Sequence, residues 1–251
     1  EDYRFAIDEG LTPPTAAEAQ LSIECSTCHS AHSPSNEVAQ LRMPIGMLCG
    51  ECHTAGDPTL GRSPHHPQFQ VLSGWGTFEE SGVILTNTSH PHFDLAATGG
   101  EACARCHVVQ VEVQDPNQGN PNAVGHTFNP FDDSLPTHDP NHQYDGCAPC
   151  HDPTDAEDAR TFFQASVGNR LNALAPYFDP ASPSYIDPSL LSTADSNRWE
   201  VARWNHHFLE ADSSLGIHNP DFYRESLNVA ESIVDDLSSP PPPVQTALQN
   251  Q

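Results

Sequence analysis

Apolar residues recur at the spacing of an α-helix in the last third of the chain, where three helices are predicted. The first begins at Asp152 and Pro153, and the second covers roughly residues 194–211. The third has Asn219 as N-cap and Pro220 as its first helical residue. Their apolar positions are Phe163, Val167, Leu171, Leu174, Val201, Trp204, Phe208, Phe222, Leu227, Val229, Ala230, Ile233, Val234 and Leu237. Residues 153–237 are therefore predicted to form a helical segment that packs on the rest of the protein or on a neighbouring molecule.

The chain before this segment has no comparable periodicity. Its apolar runs are short, as at residues 83–85, and connections rich in Gly, Pro, His and Asn separate them. We expect short helical turns and one short strand, at residues 108–113. Residues 1–24 form an N-terminal arm, and residues 238–251 form a Pro-rich tail whose residues 240–243 favour polyproline II. No window is long and apolar enough to span a bilayer.

The composition is strongly acidic and poor in apolar residues. The 251 residues carry a net charge of -25, only 36% of them are hydrophobic, and all nine basic residues are arginine. A nucleic-acid binder is excluded because 34 carboxylates would repel a phosphate backbone, and the same charge excludes adhesion to an anionic membrane. Taken alone, this composition is close to that of a disordered chain.

The cysteines change that interpretation, because all eight fall into four Cys-x-x-Cys-His motifs. This motif is the attachment signature of c-type haem: two thiols one helical turn apart bond to the porphyrin vinyl groups, and the next histidine binds iron. The predicted thioether residues are Cys25, Cys28, Cys49, Cys52, Cys103, Cys106, Cys147 and Cys150, and the proximal ligands are His29, His53, His107 and His151.

Other cysteine chemistries fit this pattern less well. Zinc sites do not require a histidine directly after each pair, a thioredoxin-like site would use one pair in a βαβ unit, and a disulfide framework would not keep one spacing. Four covalent haem c groups are therefore predicted as cofactors. We expect the haems to supply the buried apolar phase, the haem-free chain to be largely unstructured, and the mature protein to be exported after removal of a signal peptide.

Eleven further histidines could supply distal ligands, and four are needed for bis-histidine ligation of every iron. The predicted distal ligands are His32, His66, His92 and His126, and the alternatives are His65, His90, His138 and His142. His32 is too close to His29 to cross its own haem. For His206, His207 and His218, a position on a helix face or in a cap is the favoured interpretation.

The motif order between residues 25 and 152 resembles that of extracellular multihaem c-type cytochromes that polymerise into filaments (nanowires), in particular the OmcE-like tetrahaem group. The similar segments are Cys-x-x-Cys-His-x-x-His, His-His-Pro-Gln, Ser-His-x-His and Gly-His-Thr-Phe. The resemblance implies stacked bis-histidine haems in a head-to-tail filament of identical subunits. It also implies that His32 binds a haem of the adjacent subunit, the one held by His151. Such a contact propagates as an open helix.

The expected fold is a multihaem cytochrome c, mostly irregular with short helices around a chain of four haems, plus the C-terminal α-helical segment. Residues 1–152 form the predicted tetrahaem core. The expected function is extracellular electron transfer to redox partners, with no enzymatic role. A monomeric soluble carrier, in the periplasm or outside the cell, and a multihaem reductase with one open iron are the alternatives.

Overall fold

The computed structural model describes residues 25–30, 32, 40–55, 58, 63–92, 102–108, 128, 130, 146–147 and 150–239. The predicted N-terminal arm, residues 240–243 and most of the strand predicted at 108–113 lie outside the described residues. Within the described ranges, none of the helices combines the length and the apolar character that a membrane crossing requires.

Short elements dominate the part of the chain that carries the cysteine motifs, as the sequence predicts. Helix α1 is Cys25–Cys28, α2 is Ile45–Gly50, α3 is Gln68–Leu72 and α4 is Ala102–His107. Three of these four helices contain cysteines of the motifs. Among the described residues of this region, the local helical turn of the Cys-x-x-Cys-His motifs is therefore a recurring regular structure.

A β-hairpin that the sequence analysis did not predict follows α3. Strand β1, Trp75–Phe78, pairs antiparallel with β2, Ile84–Thr86, and the register is irregular between Trp75 and Thr77. Gly76 lies at this irregularity with φ +113°, a backbone conformation that only glycine adopts easily. The strands have four and three residues, too few for an alternating pattern to be recognised in the sequence.

The three C-terminal helices are confirmed, with bounds close to those predicted. Helix α5 is Pro153–Leu174, α6 is Thr193–Asp212 and α7 is Pro220–Ser238, and two 3-10 turns, Ala175–Tyr177 and Pro188–Leu190, lie between α5 and α6. Asp152 and Asn219 are N-caps whose side chains accept backbone N–H groups of the first turn, as expected for these residue types. The side chain of Ser192 caps α6 in the same way.

The hairpin packs on α6, so the helical segment is joined to the part of the chain that carries the motifs. The indole N–H of Trp204 donates to the carbonyl of Gly76 at 2.8 Å. The side-chain amide of Asn205 exchanges two hydrogen bonds of 2.8 Å with the backbone of Phe78. The side chain of Asn205 thus makes the backbone hydrogen bonds that a third strand would make beside β1.

A protein core of ordinary composition fills the space between the hairpin and the three helices. Its buried members include Val71, Phe78, Leu85, Val167, Leu171, Leu174, Trp204, Phe208, Leu209, Phe222, Tyr223, Leu227, Ile233 and Val234. The expectation that haem supplies the buried apolar phase is therefore corrected for this part of the molecule. Here apolar side chains on regular helical faces bury one another.

Candidate haem-iron centres

Each Cys-x-x-Cys-His motif closes one helical turn. The backbone N–H of His29 donates to the carbonyl of Cys25 at 2.8 Å, and the corresponding bonds of His53 to Cys49 and of His151 to Cys147 are both 2.9 Å. In the third motif, the turn is part of α4. All eight cysteines are thiols that form no disulfide. Two such thiols one turn apart with a histidine directly after them fit the covalent attachment of haem c.

Among the described residues, three of the four motif histidines have a second imidazole close to their own ring. The ring centres are 5.9 Å apart for His53 and His66, 6.1 Å for His107 and His218, and 6.4 Å for His92 and His151. Two imidazoles on opposite sides of one metal ion, each bound at about 2.0 Å, have ring centres about 6 Å apart. The three histidine pairs therefore have the separation that bis-histidine ligation of iron requires.

Hydrogen bonds at Nδ1 orient four of these six rings. His107 donates to the carbonyl of Phe128 at 2.9 Å, and His92 donates to the carbonyl of Ile217 at 3.0 Å. His53 lies 3.3 Å from Oε1 of Gln68, and the amide nitrogen of Gln68 donates to the backbone of Asp212. Because Nδ1 carries the proton, Nε2 keeps its lone pair for a metal.

The strongest of these acceptors is a buried carboxylate beside His218. Nδ1 of His218 donates to Asp212 at 2.6 Å, and the hydroxyl of Tyr223 donates to the same carboxylate at 2.8 Å. Burial alone would raise the pKa of Asp212 and lower that of His218, but their attraction and hydrogen bond outweigh burial, so both pKa values shift the other way. Asp212 therefore remains a carboxylate inside the protein.

A tight loop between α6 and α7 presents His218 to His107. Ser213, Leu215 and Gly216 have φ values of +61°, +51° and +96°. The hydroxyl of Ser214 donates to Asp212 and accepts the backbone N–H of His218 at 3.3 Å. The loop thus reverses the chain within a few residues, and Asp212 and Ser214 fix the position of its last histidine.

Burial also favours the neutral state of two ligating candidates. Desolvation lowers the pKa of His92, and it lowers the pKa of His107, in both cases against an opposing hydrogen bond to a backbone carbonyl. A neutral imidazole is the form that binds a metal ion, so this electrostatic environment suits an iron ligand.

Neighbouring cysteine motifs and neighbouring histidine pairs lie close to each other. The thiols of Cys49 and Cys103 are hydrogen-bonded to each other, and this bond, with burial, raises the pKa of Cys49. Electrostatic interactions link His107 to His53 and His92 to His218. In this order of interactions the pair His107/His218 stands between the other two pairs, and we call the three the row of histidine pairs.

The predicted distal ligands have different outcomes. His66 and His92 lie opposite motif histidines, and the alternatives His65 and His90 are their immediate neighbours, with ring centres 3.9 and 4.6 Å away. His32 is exposed, and no contact with another imidazole is found for it within the described part of the chain. His126, His138 and His142 lie outside the described residues.

His218, predicted to lie on a helix face or in a cap, instead lies in the loop before α7, facing His107. The available signal was its position: Asn219 is the N-cap, so the preceding histidine cannot belong to the helix. By contrast, His206 and His207 lie on α6, as predicted.

Part of the chain is similar to a known protein family. Residues 17–57 match the family model described as "Doubled CXXCH motif". No curated protein is similar enough in sequence to be matched to the chain.

Two solved structures have a similar fold. The undecaheme cytochrome from the S-layer of Carboxydothermus ferrireducens superposes with a TM-score of 0.56 and 21% identity, covering 94% of this chain and 37% of that chain. The outer cell wall cytochrome OcwA gives a TM-score of 0.61 and 21% identity, covering 89% of this chain and 41% of that chain. The chain thus spans about two fifths of the length of either structure, and its fold is similar to that portion of each.

Proposed function

We propose that the chain is an electron-transfer protein that binds four haem c groups covalently through its eight cysteines. The row of three histidine pairs with ring centres 5.9–6.4 Å apart carries this proposal. The Cys-x-x-Cys-His motifs and the similarity in fold to two cytochromes support it. Each bound haem would supply an iron that gains and loses one electron, and imidazole nitrogens of this chain would hold that iron.

From these pairs we infer the distal ligands of three irons. His66 would complete the iron site of His53, His218 that of His107, and His92 that of His151. Gln68, Asp212 and the carbonyls of Phe128 and Ile217 would hold the rings in place through Nδ1. Since an iron with two imidazoles has no position for a substrate, this assignment favours electron transfer over a reductase.

The neighbouring histidines provide matched variants for a test of this assignment. In the purified holoprotein, His66→Ala, His92→Ala and His218→Ala should each convert one haem from low spin to high spin and allow it to bind carbon monoxide. His65→Ala and His90→Ala should leave all haems low spin. Electron paramagnetic resonance and visible spectra of the five variants would measure this. Loss of low-spin signal in His90→Ala, with none in His92→Ala, would contradict the assignment.

The filament and the monomeric carrier differ in the distal ligand of the iron that His29 would hold. Because His92 lies opposite His151 in the same chain, a filament link through His32 fits the His29 iron of a neighbouring subunit better than the His151 iron. We therefore propose a head-to-tail filament in which His32 crosses the subunit contact. Ligation by His126 of the same chain is the alternative, and it fits a monomeric carrier.

Electron microscopy of the native protein, combined with two variants, would distinguish these outcomes. If the filament proposal is right, His32→Ala abolishes filaments and leaves one high-spin haem per subunit, whereas His126→Ala retains filaments. Discrete particles for the native protein, with a high-spin haem only in His126→Ala, would establish the monomeric carrier instead.

We also propose that the protein works outside the cell, with an extracellular redox partner. Support comes from the described locations of the two similar cytochromes, an S-layer and an outer cell wall. Fractionation of the source cells, followed by haem staining of the gel, would test this. Haem-stained protein confined to the periplasmic fraction would contradict it.

A further inference from the structure

The side chains of His206, His207 and Glu210 come together on helix α6, apart from the Cys-x-x-Cys-His motifs. Their candidate ligand atoms all lie within 4.8 Å of one another. Nδ1 of His207 is 3.4 Å from Oε2 of Glu210. Two ligand atoms bound tetrahedrally to one ion at about 2.1 Å are themselves about 3.4 Å apart. This pair could therefore bind an ion in place of the proton that it shares.

His206 supplies the second, independent observation. The residue is 2% exposed, and its Nε2 lies 3.0 Å from the carbonyl of Leu171. A carbonyl only accepts, so Nε2 carries the proton and Nδ1 has the lone pair. That Nδ1 is buried and has no hydrogen-bond partner within the described residues. An imidazole whose other nitrogen donates to a backbone carbonyl is the usual arrangement of a metal-binding histidine.

Exposure increases from His206 towards Glu210, which gives an ion a route of entry. The side chains of His207 and Glu210 are 34% and 62% exposed, so they lie at the mouth of the cluster, with His206 at its base. Phe178 packs against both imidazoles, with ring centres 5.3 and 6.3 Å away, and shields one side of the cluster. Entry is therefore from the solvent side of α6.

We propose that His206, His207 and Glu210 form a binding site for a divalent transition-metal ion of the zinc class. Two imidazoles and one carboxylate match the preference of such ions for nitrogen with a harder oxygen ligand, and a fourth position remains for water or an external ligand. The site does not depend on the proposed haem ligation, because none of its residues belongs to a motif or to the row of histidine pairs.

The test is calorimetric titration of the oxidised holoprotein with Zn²⁺ at about 0.15 M ionic strength, where non-specific attraction to the acidic surface is screened. One equivalent should bind at micromolar or lower concentration and raise the melting temperature of the helices. The exposed ligands allow variants without disturbing the core: His207→Asn and Glu210→Gln should each weaken binding at least tenfold. Glu157→Gln, on α5, is the matched control and should bind like the native protein.

The site is supported if one equivalent binds and if His207→Asn and Glu210→Gln weaken this binding while Glu157→Gln does not. Equal affinity in all four proteins would place Zn²⁺ elsewhere and overturn the proposal, and so would the absence of a stoichiometric binding phase. Far-UV circular dichroism of each variant establishes that the helices are retained. Unchanged haem spectra throughout the titration separate this outcome from any failure of the proposed haem ligation.

Discussion

At the scale of single residues, the clearest asymmetry among the proposed iron ligands is in the groups that accept their Nδ1 protons. His92 and His107 donate to backbone carbonyls, and His53 faces an amide oxygen, but His218 donates to the buried carboxylate of Asp212. A carboxylate makes the imidazole a stronger electron donor and so stabilises ferric over ferrous iron. The central centre of the row should therefore have the lowest potential of the three.

Replacing the carboxylate by an amide tests this directly. Asp212→Asn preserves the shape of the side chain and removes its charge, so the potential of the His107/His218 centre should rise. A tenfold change in relative stabilisation corresponds to about 59 mV for a one-electron couple, and a shift of that order is expected. A spectroscopic redox titration measures it, with the exposed Asp235→Asn on α7 as control. Equal titration curves for both variants would contradict the role of Asp212.

Two glycines of the hairpin region offer a second residue-scale prediction. Gly76 and Gly82 both have positive φ, but an added Cβ at Gly76 would lie 2.4 Å from Cζ of Phe208, whereas at Gly82 nothing lies within 4 Å. Gly82→Ala should cost about 1–2 kcal/mol through backbone conformation alone. Gly76→Ala also overpacks the core, so it should lower the free energy of unfolding by about 1–3 kcal/mol more than Gly82→Ala does. Urea unfolding would measure both, and equal losses would show that the core adapts.

At the scale of elements, helix α5 contains a glycine that the fold does not require. An added Cβ at Gly168 would have no neighbour within 4 Å, and its φ is not positive. Gly168→Ala should therefore stabilise the helix by about 0.5–1 kcal/mol, because alanine loses less backbone entropy on folding. The reverse change at exposed Ala165, Ala165→Gly, should cost a similar amount. A lower unfolding midpoint for Gly168→Ala would contradict this reasoning.

The elements also show how far sequence reasoning reaches. Helices α5, α6 and α7 are long enough to be recognised from the 3.6-residue period and the N-caps. The cysteine motifs are recognised from their fixed spacing alone. The hairpin at Trp75–Phe78 and Ile84–Thr86 is too short for a period, and its stability comes from contacts with α6. The pairing of His107 with His218 depends on how distant segments fold together, so spacing along the chain could not predict it.

At the scale of the whole molecule, the core of the hairpin and the helices changes what is expected of the haem-free protein. This core contains no motif cysteine and buries apolar side chains from α5, α6 and α7. We therefore expect haem-free protein, produced without the attachment machinery, to retain a helical far-UV spectrum and a cooperative thermal transition. The motif region should gain protease resistance only with haem. A featureless, non-cooperative melt would contradict the autonomy of the core.

The amide of Gln68 connects the two halves of the molecule, and its position has a consequence for protein engineering. Its oxygen faces His53, while its nitrogen donates to the backbone at the end of α6. The same end of α6 supplies Asp212, and the loop after it supplies His218. A shortened polypeptide ending at residue 152 would keep every cysteine, yet it would lose one proposed iron ligand and the supports of two others. A smaller protein that keeps the proposed iron ligands can therefore not be obtained by ending the chain after the last cysteine motif.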